Sequence, residues 1–137
     1  MITASAPIDA AVLEFLKVVF AAPILEGYGL TESGGGSTVT LAEDNVSGHV
    51  GGPNKITKLR LRDVPDMNYF STDKPYPRGE VCIKTAGIFK GYYKKKEKTE
   101  EAFDKDDWFL SGDVGMILPN GSVKIIDRAK NIFKLSQ

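Results

Sequence analysis

The chain has 137 residues, about one ordinary domain, and with 42% hydrophobic and 26% charged residues it is globular rather than disordered. Eighteen basic and eighteen acidic residues cancel, so no excess of positive charge argues for nucleic acid as a main partner. Cys82 is the only cysteine, which excludes an internal disulfide, and no apolar run approaches a membrane span.

The N-terminal segment "MITASAPIDA" carries neither a basic region nor a signal-peptide core, so the expectation is a soluble, intracellular chain without a targeting signal. Apolar residues at Ile8, Val12, Leu13, Leu16, Val19 and Phe20 recur at helical spacing; Pro7 and Asp9 open that helix and Pro23 closes the pattern. Next, "PILEGYG" predicts a short buried strand that runs into a glycine-rich loop, "EGYGLTESGGG" at 26–36. Helix, buried strand and loop in that order read as the end of an α/β layer, where ligands sit beyond the carboxyl end of the strand. After residue 37 the segments "STVTL", "KITKLRLRDV", "GEVCIKT", "DVGMIL" and "SVKIID" are short, β-branched and separated by turn residues. Asn120-Gly121 between the last two predicts a two-residue hairpin turn. A polar helix interrupts near "KKKEKTEEAF", with Lys and Glu three and four apart. The fold expected is an α/β end piece over 1–45 followed by a mostly antiparallel, β-rich subdomain over 46–127 with one short helix.

Three stretches carry candidate chemistry. "EGYGLTE" has no Lys for a Walker loop, and Glu32 stands where a dinucleotide fingerprint needs Gly. What it offers is Tyr28 as a stacking face, Thr31 as a hydroxyl donor and Glu32 as a hard carboxylate suited to Mg²⁺. A tight turn with an exposed acid explains the same residues more simply when they are taken alone. In "WFLSGDVG", Asp113 follows Gly112 and precedes a strand, so its carboxylate is expected at a strand edge, free to accept from both hydroxyls of a ribose. An Asp closing a turn onto backbone amides is an equal alternative. In "IIDRAKNIFK", Asp127, Arg128, Lys130 and Lys134 follow the hairpin; Arg128 offers a fixed fork of donors to phosphate or ribose oxygens, and a solvated charge cluster is the alternative. His49 reads as a structural or solvent-facing residue, Cys82 as a small core side chain, and Trp108 and Phe109 as core anchors.

Taken together and in order, "EGYGLTE", "GEVCIK…GIFKGYY" and "WFLSGDVG…LPNGSVKIIDRAKNIFKLSQ" resemble the adenylate-forming enzymes, and specifically the long-chain fatty acyl-CoA synthetases. "SGHVGGP" and "VPDMNYF" are similar to the eukaryotic-type branch of that family, and the resemblance covers essentially the whole chain. It implies ATP, Mg²⁺ and coenzyme A as cofactors and a fatty acid as substrate. A fatty carboxylate attacks the α-phosphate of ATP, and the coenzyme A thiol then displaces AMP. By the same resemblance Glu32 holds Mg²⁺, Thr31 contacts the α-phosphate, and Glu26, Gly27, Tyr28 and Gly29 line the adenine and acyl side. Ser5, Ala6 and Pro7 contact the adenine, with Ala4 where related sequences often have Gly. Asp113 grips the ribose with Arg128 assisting, residues 128–137 begin a hinge to a C-terminal lid, Lys130 occupies the hinge position and Lys134 a basic position beyond it.

The family's phosphate loop and its lid lysine have no counterpart in these 137 residues, and both ends of the sequence are abrupt. The chain is therefore expected to be the last third of a large domain, unable to complete adenylation alone. A membrane-associated parent is left open, and the piece is expected to self-associate through an uncovered apolar face. A non-catalytic nucleotide-binding or interaction module on the same scaffold is the alternative from another class.

Overall fold

The structure, a computed structural model, describes residues 1–128; Lys130 and Lys134 lie outside the described residues. Two four-stranded sheets make up the described residues. The first has the order β1 (Ile2–Thr3), β2 (Leu25–Leu30), β3 (Gly35–Val39), β4 (Gly52–Pro53), with β1 and β2 parallel and the other pairs antiparallel. Helix α1 (Ala10–Phe20) connects β1 to β2. Asp9 caps it, its carboxylate accepting from the Ala11 amide at 2.8 Å and the Val12 amide at 3.3 Å, which satisfies two of the amides a helix start leaves open. The helix ends before Pro23, with Ala21 in the left-handed region at φ 45°.

The segment 26–36 is not a loop but a β-hairpin. β2 runs through Leu30, a single 3-10 turn follows at Thr31–Ser33, and the glycines begin β3. The reason is the absence of a side chain at Gly29: a Cβ there would lie 1.6 Å from the Gly35 carbonyl oxygen, so the two strands can close on each other. Ser33 completes the turn, its hydroxyl accepting from the Leu30 amide and donating to the Leu30 carbonyl, both at 3.0 Å.

The second sheet is fully antiparallel: β5 (Thr57–Arg62), β6 (Arg78–Thr85), β7 (Phe109–Ile117) and β8 (Val123–Arg128), with α2 (Lys96–Glu101) between β6 and β7. Its inner face supplies Val81, Ile83, Phe109 and Val123, joined by Val50 from the connection before β4. Tyr28 and Leu30 of the first sheet pack against this cluster, which docks the hairpin on the second sheet. Each such buried aliphatic or aromatic side chain contributes about 1.5–3 kcal/mol. Phe89, Phe103 and Phe109 stack around it with ring centroids 5.6–5.8 Å apart. Trp108, expected in the core with Phe109, lies half-buried outside it, with the Arg60 guanidinium 4.8 Å from its ring centroid.

Two further expectations change. The first sheet extends past the boundary expected at residue 45, because β4 at Gly52–Pro53 pairs with β3. The β7–β8 turn is longer than two residues: the Gly121 amide donates to the Leu118 carbonyl at 2.9 Å, and only Gly121 takes a positive φ, 81°. Pro119 has no N–H to complete the hydrogen-bonded pair that flanks a two-residue turn, and its fixed φ suits the second position of the turn that forms instead.

Candidate functional site

Three distant segments meet at Asp113. It lies inside β7, 5% exposed, in a strand flanked by β6 and β8, and not at a strand edge as the sequence suggested. β7 is irregular there: Glu80 pairs with Val114 and Cys82 with Leu110, so Ser111, Gly112 and Asp113 face Val81 alone. Gly112 takes a φ of 74°, which turns the chain and re-aims the next side chain. The Tyr28 hydroxyl from β2 donates to Asp113 Oδ2 at 2.9 Å, and Arg128 Nε from β8 donates to Oδ1 at 2.9 Å.

The electrostatics follow from burial. Tyr28 is pushed well above the ordinary phenol range, first by burial and then by the Asp113 charge, so its hydroxyl keeps its proton and donates. The hydrogen bond to Asp113, and then its charge, raise Arg128 further, so it remains a cation. The result is a carboxylate with one donor on each oxygen and further lone pairs on both.

Glu32 stands at the far end of the hairpin, in the 3-10 turn. The Tyr92 hydroxyl donates to its Oε1 at 2.8 Å, and the Phe89 amide donates to its main-chain carbonyl at 2.7 Å. Burial, and then Glu32 itself, raise Tyr92 above its ordinary value, which keeps that hydroxyl a donor too. Among the described residues no group of three or more His, Cys, Asp or Glu side chains could hold a metal ion. A single carboxylate in a polar turn still fits Mg²⁺ when phosphate and water oxygens complete the shell.

Of the other residues, Gly27, Tyr28 and Gly29 lie along β2 between these two points, and Thr31 is exposed at the start of the turn. Ser5, Ala6 and Pro7 form the exposed loop leaving the carboxyl end of β1, next to the parallel strand β2, where Thr3 pairs with Glu26. Ser5 holds a φ of 76°, a conformation that costs a side-chain-bearing residue about 1–3 kcal/mol. Glu26 is buried, its Oε2 has no hydrogen-bond partner, and burial raises its pKa against the opposing pull of His49 and Lys17. His49 is buried with Nδ1 accepting from the Gly51 amide at 3.1 Å, a structural role as expected.

Sequence reasoning missed Tyr92, Ser111 and Glu80. The aromatic pair in "GIFKGYY" was the available signal for the first. The other two are cross-strand and bulge contacts with no local signature.

The sequence pattern of the AMP-binding enzyme family matches residues 1–93. The chain is 54% identical over 137 residues to fatty acyl-CoA synthetase A of Dictyostelium discoideum, covering 100% of this chain and 20% of that protein. It is 50% identical over 133 residues to the peroxisomal long chain acyl-CoA synthetase 7 of Arabidopsis thaliana, covering 97% and 19%. To human long-chain-fatty-acid–CoA ligase 1 it is 47% identical over 137 residues, covering 100% and 19%. Among solved structures it superimposes on the adenylation domain of a carboxylic acid reductase from Segniliparus rugosus, in complex with AMP and a co-purified carboxylic acid. The TM-score there is 0.79 at 39% identity, over 95% of this chain and 19% of that one. ATP-bound MatB from Rhodopseudomonas palustris gives a TM-score of 0.79 at 32% identity, over 94% and 25%. The chain thus spans about a fifth of the length of the curated relatives it matches.

Proposed function

This chain belongs to the AMP-binding enzyme family, and from that premise we propose that it forms the nucleotide-facing end of the large domain of an ATP-dependent long-chain fatty acid–CoA ligase. The observation that carries the proposal is the meeting of Tyr28, Asp113 and Arg128, from three strands, around one buried carboxylate. The likeness to fatty acyl-CoA synthetases at 47–54% identity supports the acyl substrate and coenzyme A as acceptor.

In this role Asp113 accepts from the ribose hydroxyls on its remaining lone pairs, and Arg128 orients it and adds donors of its own. The β2 backbone at Gly27–Gly29 and the Ser5–Pro7 loop flank the adenine. Attack of a fatty carboxylate on the α-phosphate brings two anions together, so positive charge has to be supplied where negative charge develops. Mg²⁺ bound with the triphosphate supplies it; Glu32, held by Tyr92, is the ligand this chain offers, and Thr31 donates to the α-phosphate. Lys130, beyond the described residues, belongs in this proposal to the hinge leading to a C-terminal lid, and Lys134 to a basic position just past it. Relatives whose names place them in peroxisomes support an intracellular setting, and among the described residues no helix is long and apolar enough to cross a membrane.

The test is fatty-acid-dependent release of pyrophosphate from ATP. The complete polypeptide carrying this chain is expected to release it, and the 137-residue chain alone is expected to be inactive. Turnover by the isolated chain, or turnover by the complete protein that ignores a fatty acid, would overturn the proposal.

A further inference from the structure

The Asp113 bulge is held from behind. Along β6, Glu80 and Cys82 alternate with Val81 and Ile83, so Glu80 belongs to the face opposite the core. It is nonetheless 4% exposed, and both its oxygens are engaged. Oε1 accepts from the Gly112 amide at 2.9 Å, and Oε2 pairs with the Arg62 guanidinium, on the residue opposite Glu80 in β5. Gly112 precedes Asp113 directly and is the residue at φ 74°. Ser111 closes the other side, its hydroxyl accepting from the Asp113 amide at 3.0 Å.

An irregular strand segment has lost its ladder partners, and its amides need others. Here the Gly112 amide finds a buried charge, and a charge-assisted bond of this kind is stronger than a neutral one. The direction of the Asp113 side chain is set by the peptide that Glu80 holds. We infer that Glu80, paired with Arg62, is a positioning residue that fixes the Asp113 carboxylate in the orientation needed to accept from the ribose. The inference rests on the ribose role proposed above for Asp113. It extends the candidate site through the sheet to residues on the face away from the nucleotide.

Two measurements test it. In the 137-residue chain, the Gly112 amide proton resonance is expected far downfield and slow to exchange, and Glu80→Gln is expected to move it upfield and speed exchange at Gly112 and Asp113. In the complete ligase, Glu80→Ala is expected to raise KM for ATP about tenfold, the loss expected for one charged hydrogen bond. KM for the fatty acid should stay within about twofold of the parent, and Glu80→Gln, which keeps an acceptor, should recover most of the loss. A merely structural role would lower the yield of folded enzyme and leave the ratio of the two KM values unchanged. Should Glu80→Ala not fold, Glu80→Gln decides through the Gly112 amide: an unmoved resonance and unchanged exchange overturn the inference. Asp113→Asn separates the two levels. If it leaves KM for ATP unmoved, the ribose role fails; if it raises KM while both Glu80 variants do not, the positioning role fails and the ribose role stands.

Discussion

The two sheets solve burial differently. The second buries one face: β5 to β8 pair in order, and Val81, Ile83, Phe109 and Val123 sit under Tyr28, Leu30, Phe89 and Phe103. The first covers its helix poorly. Leu13 is the one fully buried residue of α1, while Val12, Phe15, Val18, Val19 and Phe20 are 48–78% exposed. Strand pairing over long distances gives the second sheet its own interior. The helix has a cap and a proper end; the segment 41–48 reaches it at Glu14 and Lys17, and among the described residues most of its apolar surface stays uncovered. The candidate site lies on the seam, with Tyr28 from one sheet and Asp113 and Arg128 from the other.

The contrast can be broken most strongly at its closed side. Phe109→Ala is expected to destabilise the fold by about 3–5 kcal/mol, read from urea denaturation. Phe15→Ala on α1 should change it by less than about 0.5 kcal/mol in the same assay, and equal losses would erase the distinction. The seam comes next. Tyr28→Phe takes the donor from a buried carboxylate oxygen, so about 1–3 kcal/mol should be lost, unless water replaces the hydroxyl, which an unchanged urea midpoint would reveal.

A pH effect sharpens the picture of the second sheet. Burial, followed by the Glu80 charge, pushes the Cys82 thiol up to about 11. The unfolded chain gives up that proton at the ordinary thiol value while the folded one keeps it. Stability is therefore expected to fall as pH rises from the ordinary thiol value towards about 11, with the full contribution present below that window. Cys82→Ala should flatten this part of the profile, measured as urea midpoint against pH. The smallest effect belongs to the open side. Phe15→Ser with Val19→Ser should leave the urea midpoint almost in place, yet lower the apparent mass in a sedimentation concentration series. A parent chain that sediments as a monomer, or self-association unaffected by the pair, would overturn the expectation that this face joins copies.

Much of this was legible in the sequence where the signal is local. Asp9, the apolar spacing and Pro23 predict α1, and alternation of β-branched residues finds every strand of the second sheet. The glycine stretch misled because glycine usually marks a loop; at Gly29 it marks a close crossing of two strands, which depends on a partner six residues away. Type and neighbourhood single out Asp113 as a candidate, but they do not show its place inside a strand. The bulge arises from pairing with β6, and the Glu80 contact spans 32 residues of chain. Pro119 was visible and outweighs the Asn-Gly signal, so that turn was readable and misassigned.

Gly29 leaves no room for even one carbon between the crossing strands. Tyr28 and Glu32, which engage Asp113 and Tyr92, are thereby set apart by a hairpin whose main-chain atoms are in direct touch. Substitution can change either contact, but the distance between them cannot be lengthened without prising the hairpin apart.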